Sequence, residues 1–172
     1  MDTSDRLIEV TTFYVAEARR CAKSRAYLAA SIMQAAALEA ALQAMCCIYP
    51  EDVKRTTVHR HKRFRGRRNK GLEFSLNELI NIAAELGWFP PTTITYGTRK
   101  TNLADLAHQA RLIRNLVHPG VWARERPGTT KPDRYMYVAV YERFDVANSW
   151  LVHRVEKSLR RAMERDKRGK KA

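Results

Sequence analysis

The longest apolar stretch, residues 27–49, constrains the fold of this 172-residue chain more than any other segment. Its alanine-rich composition favours helix. The apolar stripe at helical spacing consists of Leu28, Ile32, Ala35, Leu42 and Met45. Polar residues interrupt the stretch at Ser31, Gln34, Glu39 and Gln43. Because a membrane span of about 20 residues is predominantly apolar, these interruptions favour a core helix that other helices cover.

Helical periodicity runs through most of the remaining chain. It predicts five helices, at about 4–22, 24–48, 76–86, 102–118 and 142–165. The first should bury a seam formed by Leu7, Val10, Tyr14, Ala18 and Cys21. Ser75 and Glu78 form a capping box at the start of the third helix, and Pro119 and Gly120 should end the fourth.

The segments between these helices complete the expected architecture. A basic loop is expected at 51–72 and a second loop at 122–133, while 135–141 should form a short extended stretch or the first turn of the last helix. Helices joined in this way predict an all-α, up-and-down bundle of about five helices. We expect one helical domain at 1–165 and a basic tail at 166–172.

The net charge of +14 is concentrated in two segments. Residues 54–70 contain nine cations and no acid, and residues 154–172 contain nine cations and three acids. Dense basic segments are typical of proteins that bind polyanions, most often nucleic acid. We interpret the first segment as an arm that contacts phosphates; its cations are Lys54, Arg55, Arg60, Lys62, Arg63, Arg65, Arg67, Arg68 and Lys70. A solvated surface is the alternative, and membrane binding is disfavoured because few large apolar residues are interleaved.

The cysteines and histidines outside the fourth helix do not predict a metal site. Cys21, Cys46 and Cys47 lie in apolar helical surroundings without zinc-ligand spacing, so we expect buried free thiols. His59 and His61 stand among cations with no nearby cysteine or acid cluster, so no metal and no cofactor are expected. The N-terminus lacks the apolar core of a signal peptide, which predicts a cytoplasmic protein.

The fourth helix carries the one constellation that could support chemistry. On a helical wheel its core stripe is formed by Leu103, Leu106, Ala110, Ile113 and Val117. Arg111, Arg114 and His118 lie on the adjoining stripe, with Asn115 beside Arg111. An imidazole can move protons near neutral pH and a guanidinium matches phosphate oxygens, so this set could promote attack of an RNA 2′-OH on its phosphate without a metal. The alternative is structural, because the helix dipole favours cations near a helix C-terminus.

Three segments resemble the HEPN superfamily (higher eukaryotes and prokaryotes nucleotide-binding). LADLAHQARLIRNLVHPG, residues 103–120, is similar to the family's signature helix; SRAYLAASIMQAAALEAAL, residues 24–42, resembles its second helix, and ELGWFP, residues 85–90, the end of its third. The resemblance covers roughly 20–160. The most specific part is an arginine followed a few residues later by a histidine, often with asparagine after an arginine.

Residue by residue, His118 matches the motif histidine. Arg111, with six residues between it and His118, matches the arginine by spacing. Arg114 with Asn115 matches by residue type, but only three residues separate Arg114 from His118, so which arginine acts stays open. Glu39 matches the polar position of the second helix, where it would hold the motif arginine or else lie at the helix surface.

This resemblance implies a HEPN-like bundle that acts on or binds RNA. Active members resemble metal-independent endoribonucleases that work as homodimers with the motif helices at the interface. The implied catalytic set is Arg111, Arg114, Asn115, His118 and Glu39. The alternative is a catalytically silent nucleic-acid-binding or protein-interaction module, including one half of a toxin–antitoxin or antiphage defence pair in which an acidic protein covers the basic surface.

Overall fold

The computed structural model describes residues 2–61, 74–91, 93–96, 99–115, 118–125 and 134–169, with backbone alone for 155–169 and a few single positions. The helices in these ranges are α1 Thr3–Lys23, α2 Tyr27–Ile48, α3 Pro50–Lys54, α4 Thr57–Arg60, α5 Leu76–Glu85, α6 Leu103–Asn115, α7 Pro119–Glu125 and α8 Arg134–Gly169. Two short antiparallel strands, β1 Ile94–Tyr96 and β2 Arg99–Thr101, form a hairpin between α5 and α6. The prediction of an all-α protein is confirmed.

Helix α2 lies between α1 and the other long helices. Twelve of its 22 residues are buried, and its larger side chains pack towards α5, α6 and α8. They join one apolar cluster whose large members include Leu38, Leu42, Met45, Leu79, Ile80, Phe89, Leu103, Phe144 and Leu151. Burial of each such side chain stabilises the fold by about 1.5–3 kcal/mol. The prediction that 27–49 forms a core helix is confirmed.

Helix α1 packs against the opposite side of α2 along small residues. The buried residues of α1 are Ser4, Thr11 and Ala18. Buried residues of α2 that do not belong to the core cluster include Ala30, Ala37 and Ala44. Both sets repeat every seven residues, which is two helical turns, so each forms a line along its helix. Small side chains along both lines allow the two helices to approach closely.

The predicted seam of α1 is wrong in its rotation about the helix axis. Of the five residues expected in that seam, only Ala18 is buried, and Val10 is 39% exposed. The apolar pattern of α1 favours the face that carries its larger side chains. In the structure the smaller residues of α1 pack against the alanine-rich face of α2. The larger residues of α1 therefore lie nearer the surface.

A polar seam joins α2 to α8 and accounts for two of the interruptions in the apolar stretch. The Asn148 amide donates to the backbone oxygen of Gln34 at 3.0 Å and to its Oε1 at 2.6 Å. Gln34 Nε2 in turn donates to Asp145 Oδ1 at 2.9 Å. Nearby, Ser31 Oγ donates to the Tyr137 carbonyl oxygen at 2.9 Å. Buried polar groups of this kind are satisfied at one register only, so they fix α8 along α2.

The expected loop at 51–72 begins with helix, which corrects the predicted boundary. Pro50 is the first residue of α3, where its missing N–H is no loss. Thr56 caps α4, and the Glu85 carboxylate accepts from both Thr57 N and Thr57 Oγ at 2.8–3.0 Å. The start of the basic segment is therefore bound to the end of α5. Residues 62–73 lie outside the described residues.

Two further boundaries differ from the predictions. Pro119 does not lead into a loop but is the first residue of α7, which replaces the first part of the loop expected at 122–133. Helix α8 begins at Arg134 rather than at 142, so the helical alternative for 135–141 is confirmed and the extended one is wrong. The helix continues to Gly169 through most of the expected tail. The capping box of Ser75 and Glu78 is confirmed. The β1–β2 hairpin was not predicted, because its strands are only three residues long.

Helix α2 has the length and apolar composition of a membrane span. Its most apolar stretch is 61% buried inside the protein, as is common for a core helix. Length and composition alone therefore do not distinguish a membrane span from a core helix at α2.

Replacing Asn148 with alanine should destabilise the protein by about 1–3 kcal/mol, because the buried Gln34 Oε1 loses the Asn148 donor and the Gln34 backbone oxygen loses its bond to α8. Ser149→Ala, at an exposed position of the same helix, is the matched control. Urea unfolding measures both. Equal stability of the two variants would show that the polar seam does not hold α8 in register.

Candidate phosphate site on helix α6

The N-terminus of α6 is capped and its inner face is buried, which fixes the rotation of the helix. Asn102 Oδ1 accepts from Asp105 N at 2.8 Å, and Asn102 Nδ2 donates to Asp105 Oδ2 at 2.7 Å. The buried residues are Leu103, Leu106, Ala107 and Ala110, against α8 and α5. The predicted core stripe is confirmed for Leu103, Leu106 and Ala110, while the Ile113 and Val117 side chains lie outside the described ones.

Arg111 and Arg114 lie along the edge of this buried face. Both residues are half-buried, and the Nε atom of each is buried without a hydrogen-bond acceptor among the described residues. Arg114 Nη1 reaches Asn115 Oδ1 only at 3.5 Å. Among the described side chains, neither guanidinium forms an ion pair with a carboxylate. Two partly desolvated cations without an acid between them favour an anion as ligand, because its oxygens would accept their hydrogen bonds.

Asn115 and His118 stand at the end of α6, next to these arginines in the sequence. The His118 backbone N–H donates to the Asn115 carbonyl oxygen at 3.1 Å, and the His118 carbonyl oxygen accepts from Trp122 N at 2.9 Å. His118 therefore forms the corner between α6 and α7. Its side chain is exposed to solvent.

Glu39 does not join this set within one chain. It is half-buried on α2, and it forms no ion pair with Arg111 or Arg114, although all three side chains are described. The expectation that Glu39 holds the motif arginine is therefore not met in the single chain. Its position agrees with the other interpretation, a place near the surface of α2.

His108 lies one turn before Arg111, where the sequence pattern favours a surface position, but the structure half-buries it. Its Nε2 is 3.0 Å from Asn81 Oδ1 on α5. Because an amide oxygen only accepts, Nε2 carries the proton and Nδ1 is left as an acceptor. Burial lowers the pKa of His108, and the neighbouring Arg111 lowers it further, whereas Asp105 acts in the opposite direction. The sequence feature that indicates this contact is the three-residue spacing of His108 and Arg111, which places both on one face of α6.

The start of the basic segment is partly neutralised by acids that precede it. Lys54 pairs with Glu51 at 2.6 Å, and Arg55 with Asp52 at 3.8 Å. The hydrogen bond and charge of Lys54 lower the pKa of Glu51. Arg60 is exposed at the end of α4. The remaining predicted phosphate contacts lie outside the described residues; they are Lys62, Arg63, Arg65, Arg67, Arg68 and Lys70.

The cysteines are free thiols, as predicted. Cys46 is buried, while Cys21 and Cys47 are half-buried. Burial, reinforced by Cys47, raises the pKa of Cys46 to about 12, which keeps this thiol protonated and unreactive. In the part of the chain that the structure describes, no three histidine, cysteine or acidic side chains are grouped so as to hold a metal ion.

Comparisons with known proteins add no family to this picture. No family model matches the chain, and no curated protein and no solved structure matches it either. The resemblance to the HEPN superfamily therefore rests on the three sequence segments given above, and what it implies about RNA remains a proposal.

The stability of the protein should depend on pH through His108. The folded state lowers the pKa of His108 below its ordinary value of 6.5, so the unfolded chain binds the proton more readily. The free energy of unfolding should consequently fall as the pH drops below about 6.5, and His108→Gln should remove this part of the loss. Urea unfolding between about pH 7.5 and about pH 5.5 measures the difference. Parallel curves for the two proteins would contradict this reading.

Proposed function

We propose that this protein binds RNA at α6 and cleaves it without a metal ion, as a homodimer whose α6 helices face each other. The single observation that carries the proposal is the pair Arg111 and Arg114, partly buried with their Nε atoms unpartnered and without an ion-paired carboxylate among the described side chains. RNA phosphates supply the oxygens that such guanidiniums bind most strongly. Asn115 is the last residue of the same helix, and His118, whose side chain is exposed, lies three residues further along the chain.

The chemistry requires one group that takes a proton and one that gives it back. The 2′-oxygen loses its proton, attacks the adjacent phosphorus and expels the 5′-oxygen of the next nucleotide, which takes up a proton. The products are a 2′,3′-cyclic phosphate and a free 5′-OH. One His118 imidazole can accept the first proton, and the imidazole of a second copy can donate the last.

The arginines and Asn115 contribute binding rather than proton transfer. Arg111 and Arg114 would hold the non-bridging phosphate oxygens while negative charge builds up on them. Asn115, which is already close to Arg114, would orient that guanidinium or the ribose. Glu39 has no step in this proposal, because it does not contact either arginine in one chain. The basic segment at 54–70 would draw RNA to the site electrostatically.

Binding without cleavage is the second candidate function. The observation that favours it is that only three residues separate Arg114 from His118, fewer than in the family motif. In that case the arginines bind phosphate and His118 is dispensable. The same fold would then act as a nucleic-acid-binding module.

Cleavage of labelled single-stranded RNA in EDTA distinguishes the two candidates. We expect wild-type protein to leave cyclic-phosphate ends, and His118→Ala to slow cleavage by about 100- to 10,000-fold because proton transfer is lost. Arg111→Ala and Arg114→Ala should slow it by about 100-fold or more. Arg6→Ala, an exposed arginine on α1, is the matched control and should have no effect.

Two results would overturn this proposal in different ways. RNA binding without cleavage in all of these proteins would leave the binding module. A solution mass of a single chain at micromolar concentration, together with full cleavage, would remove the requirement for a second copy.

The salt dependence of RNA binding should separate the cations further along the basic segment from the two ion-paired ones at its start. Arg67→Gln with Arg68→Gln should reduce the slope of log affinity against log salt by about 1.4, because two phosphate contacts are lost. Lys54→Gln with Arg55→Gln should reduce it less, because Glu51 and Asp52 already neutralise these cations. Fluorescence anisotropy over a salt series measures both, and equal slopes in all three proteins would show that the segment does not contact phosphates.

A further inference from the structure

Trp150 presents a large aromatic ring at the surface of α8. The residue is 42% exposed, and its indole N–H donates to the Trp88 carbonyl oxygen at 3.2 Å. Trp88 is itself buried and packs against the Tyr49 ring at 6.1 Å between centroids. One turn before Trp150, Val146 is 36% exposed. The ring is therefore held by the core on one edge while part of it faces solvent beside a small apolar patch.

Cations continue from Trp150 along one stripe of the same helix. Because α8 is helical to Gly169, spacings of three and four residues place positions on one side of it. The positions on this basic stripe are Arg143, Trp150, Arg154, Lys157, Arg161, Arg165 and Arg168. Glu156 and Asp166 fall roughly 140° away from its centre, and Glu164 borders it. The stripe thus joins one aromatic residue to six cations, about one residue per turn over about 38 Å.

The helix dipole does not account for this stripe. Its effect is confined to the last turn of a helix, whereas Arg143 and Arg154 lie several turns before Gly169. A solvated charged face would not place an exposed tryptophan in line with the cations. An aromatic ring flanked by cations along one line is the arrangement by which proteins bind unpaired bases and their phosphates together.

We propose that the basic stripe of α8 binds single-stranded nucleic acid, with one base stacked on Trp150 and successive phosphates on the cations beyond it. Single strands are specified because a duplex hides the faces of its bases. This inference rests on the proposed function for the choice of RNA, and it extends that function from the cleavage site on α6 to the path of the bound strand. The two helices pack against each other, so the stripe and the cleavage site lie on neighbouring elements.

The test measures binding of a labelled single-stranded RNA of about twelve nucleotides, its single-stranded DNA counterpart, an abasic oligomer with the same number of phosphates, and the duplex. Trp150→Ala should weaken binding of both single strands by about 5- to 150-fold and leave binding of the abasic oligomer unchanged. Trp150→Phe should keep most of the affinity, because it keeps the aromatic face and loses only the N–H. Phe13→Ala, another exposed aromatic residue, on α1, is the matched control.

Trp150→Phe and Trp150→Ala both lose the hydrogen bond to the Trp88 carbonyl oxygen. A loss of affinity in Trp150→Ala alone is therefore not caused by the loss of that bond. Equal loss of affinity in both, equal loss on the abasic oligomer, or no loss with Trp150→Ala would each overturn the proposal. DNA lacks the 2′-OH and cannot be cleaved, so dependence of DNA binding on Trp150 supports the stripe even if no RNA cleavage occurs. If cleavage requires Arg111 but binding is the same with and without Trp150, the proposal for the basic stripe is wrong and the proposed function still stands.

Discussion

The burial of α2 on two opposite sides is the constraint on which the rest of the structure depends. One side of this helix packs large residues into the core cluster, and the other packs alanines against α1. A helix of this composition cannot be exposed without a large loss of hydrophobic stabilisation. The polar seam with Gln34 and Asn148 then sets the register of α8, the longest helix in the described residues. Because α6 packs on α8, the rotation and position of the candidate site follow from α2.

The α6 site combines burial with charge in a way that folding alone does not require. An exposed arginine keeps its hydration, and a buried one is normally paired with an acid. Arg111 and Arg114 fit neither case, because they are half-buried and have no ion-paired carboxylate among the described side chains. A bound anion would offset the cost of this arrangement. Because the pKa of His108 is lowered, this imidazole one turn earlier adds no second charge beside Arg111 at neutral pH.

The sequence predicted the long helices and the inner face of α6, because these depend on periodicity. It did not predict which face of α1 meets α2, since small residues carry no hydrophobic signal although they decide how closely two helices approach. The sequence predicts that Pro119 ends a helix, but a proline that ends one helix can equally begin the next, as it does at the start of α7. Within the candidate site, helical spacing predicts that Arg111 and Arg114 share one edge of α6. The missing contact of Glu39 and the link from His108 to Asn81 depend on packing between helices, which one helix pattern does not contain.

Our central proposal is that Arg111 and Arg114, which have no ion-paired carboxylate among the described side chains, bind RNA phosphate. The most direct test is nuclear magnetic resonance of ¹⁵N-labelled arginine side chains during titration with 2′-O-methyl RNA, which binds but cannot be cleaved. We predict that the Nε–H signals of Arg111 and Arg114 shift as RNA is added, while the signal of Arg6 does not. RNA binding that moves the signals of the basic segment and leaves those of Arg111 and Arg114 unchanged would contradict it.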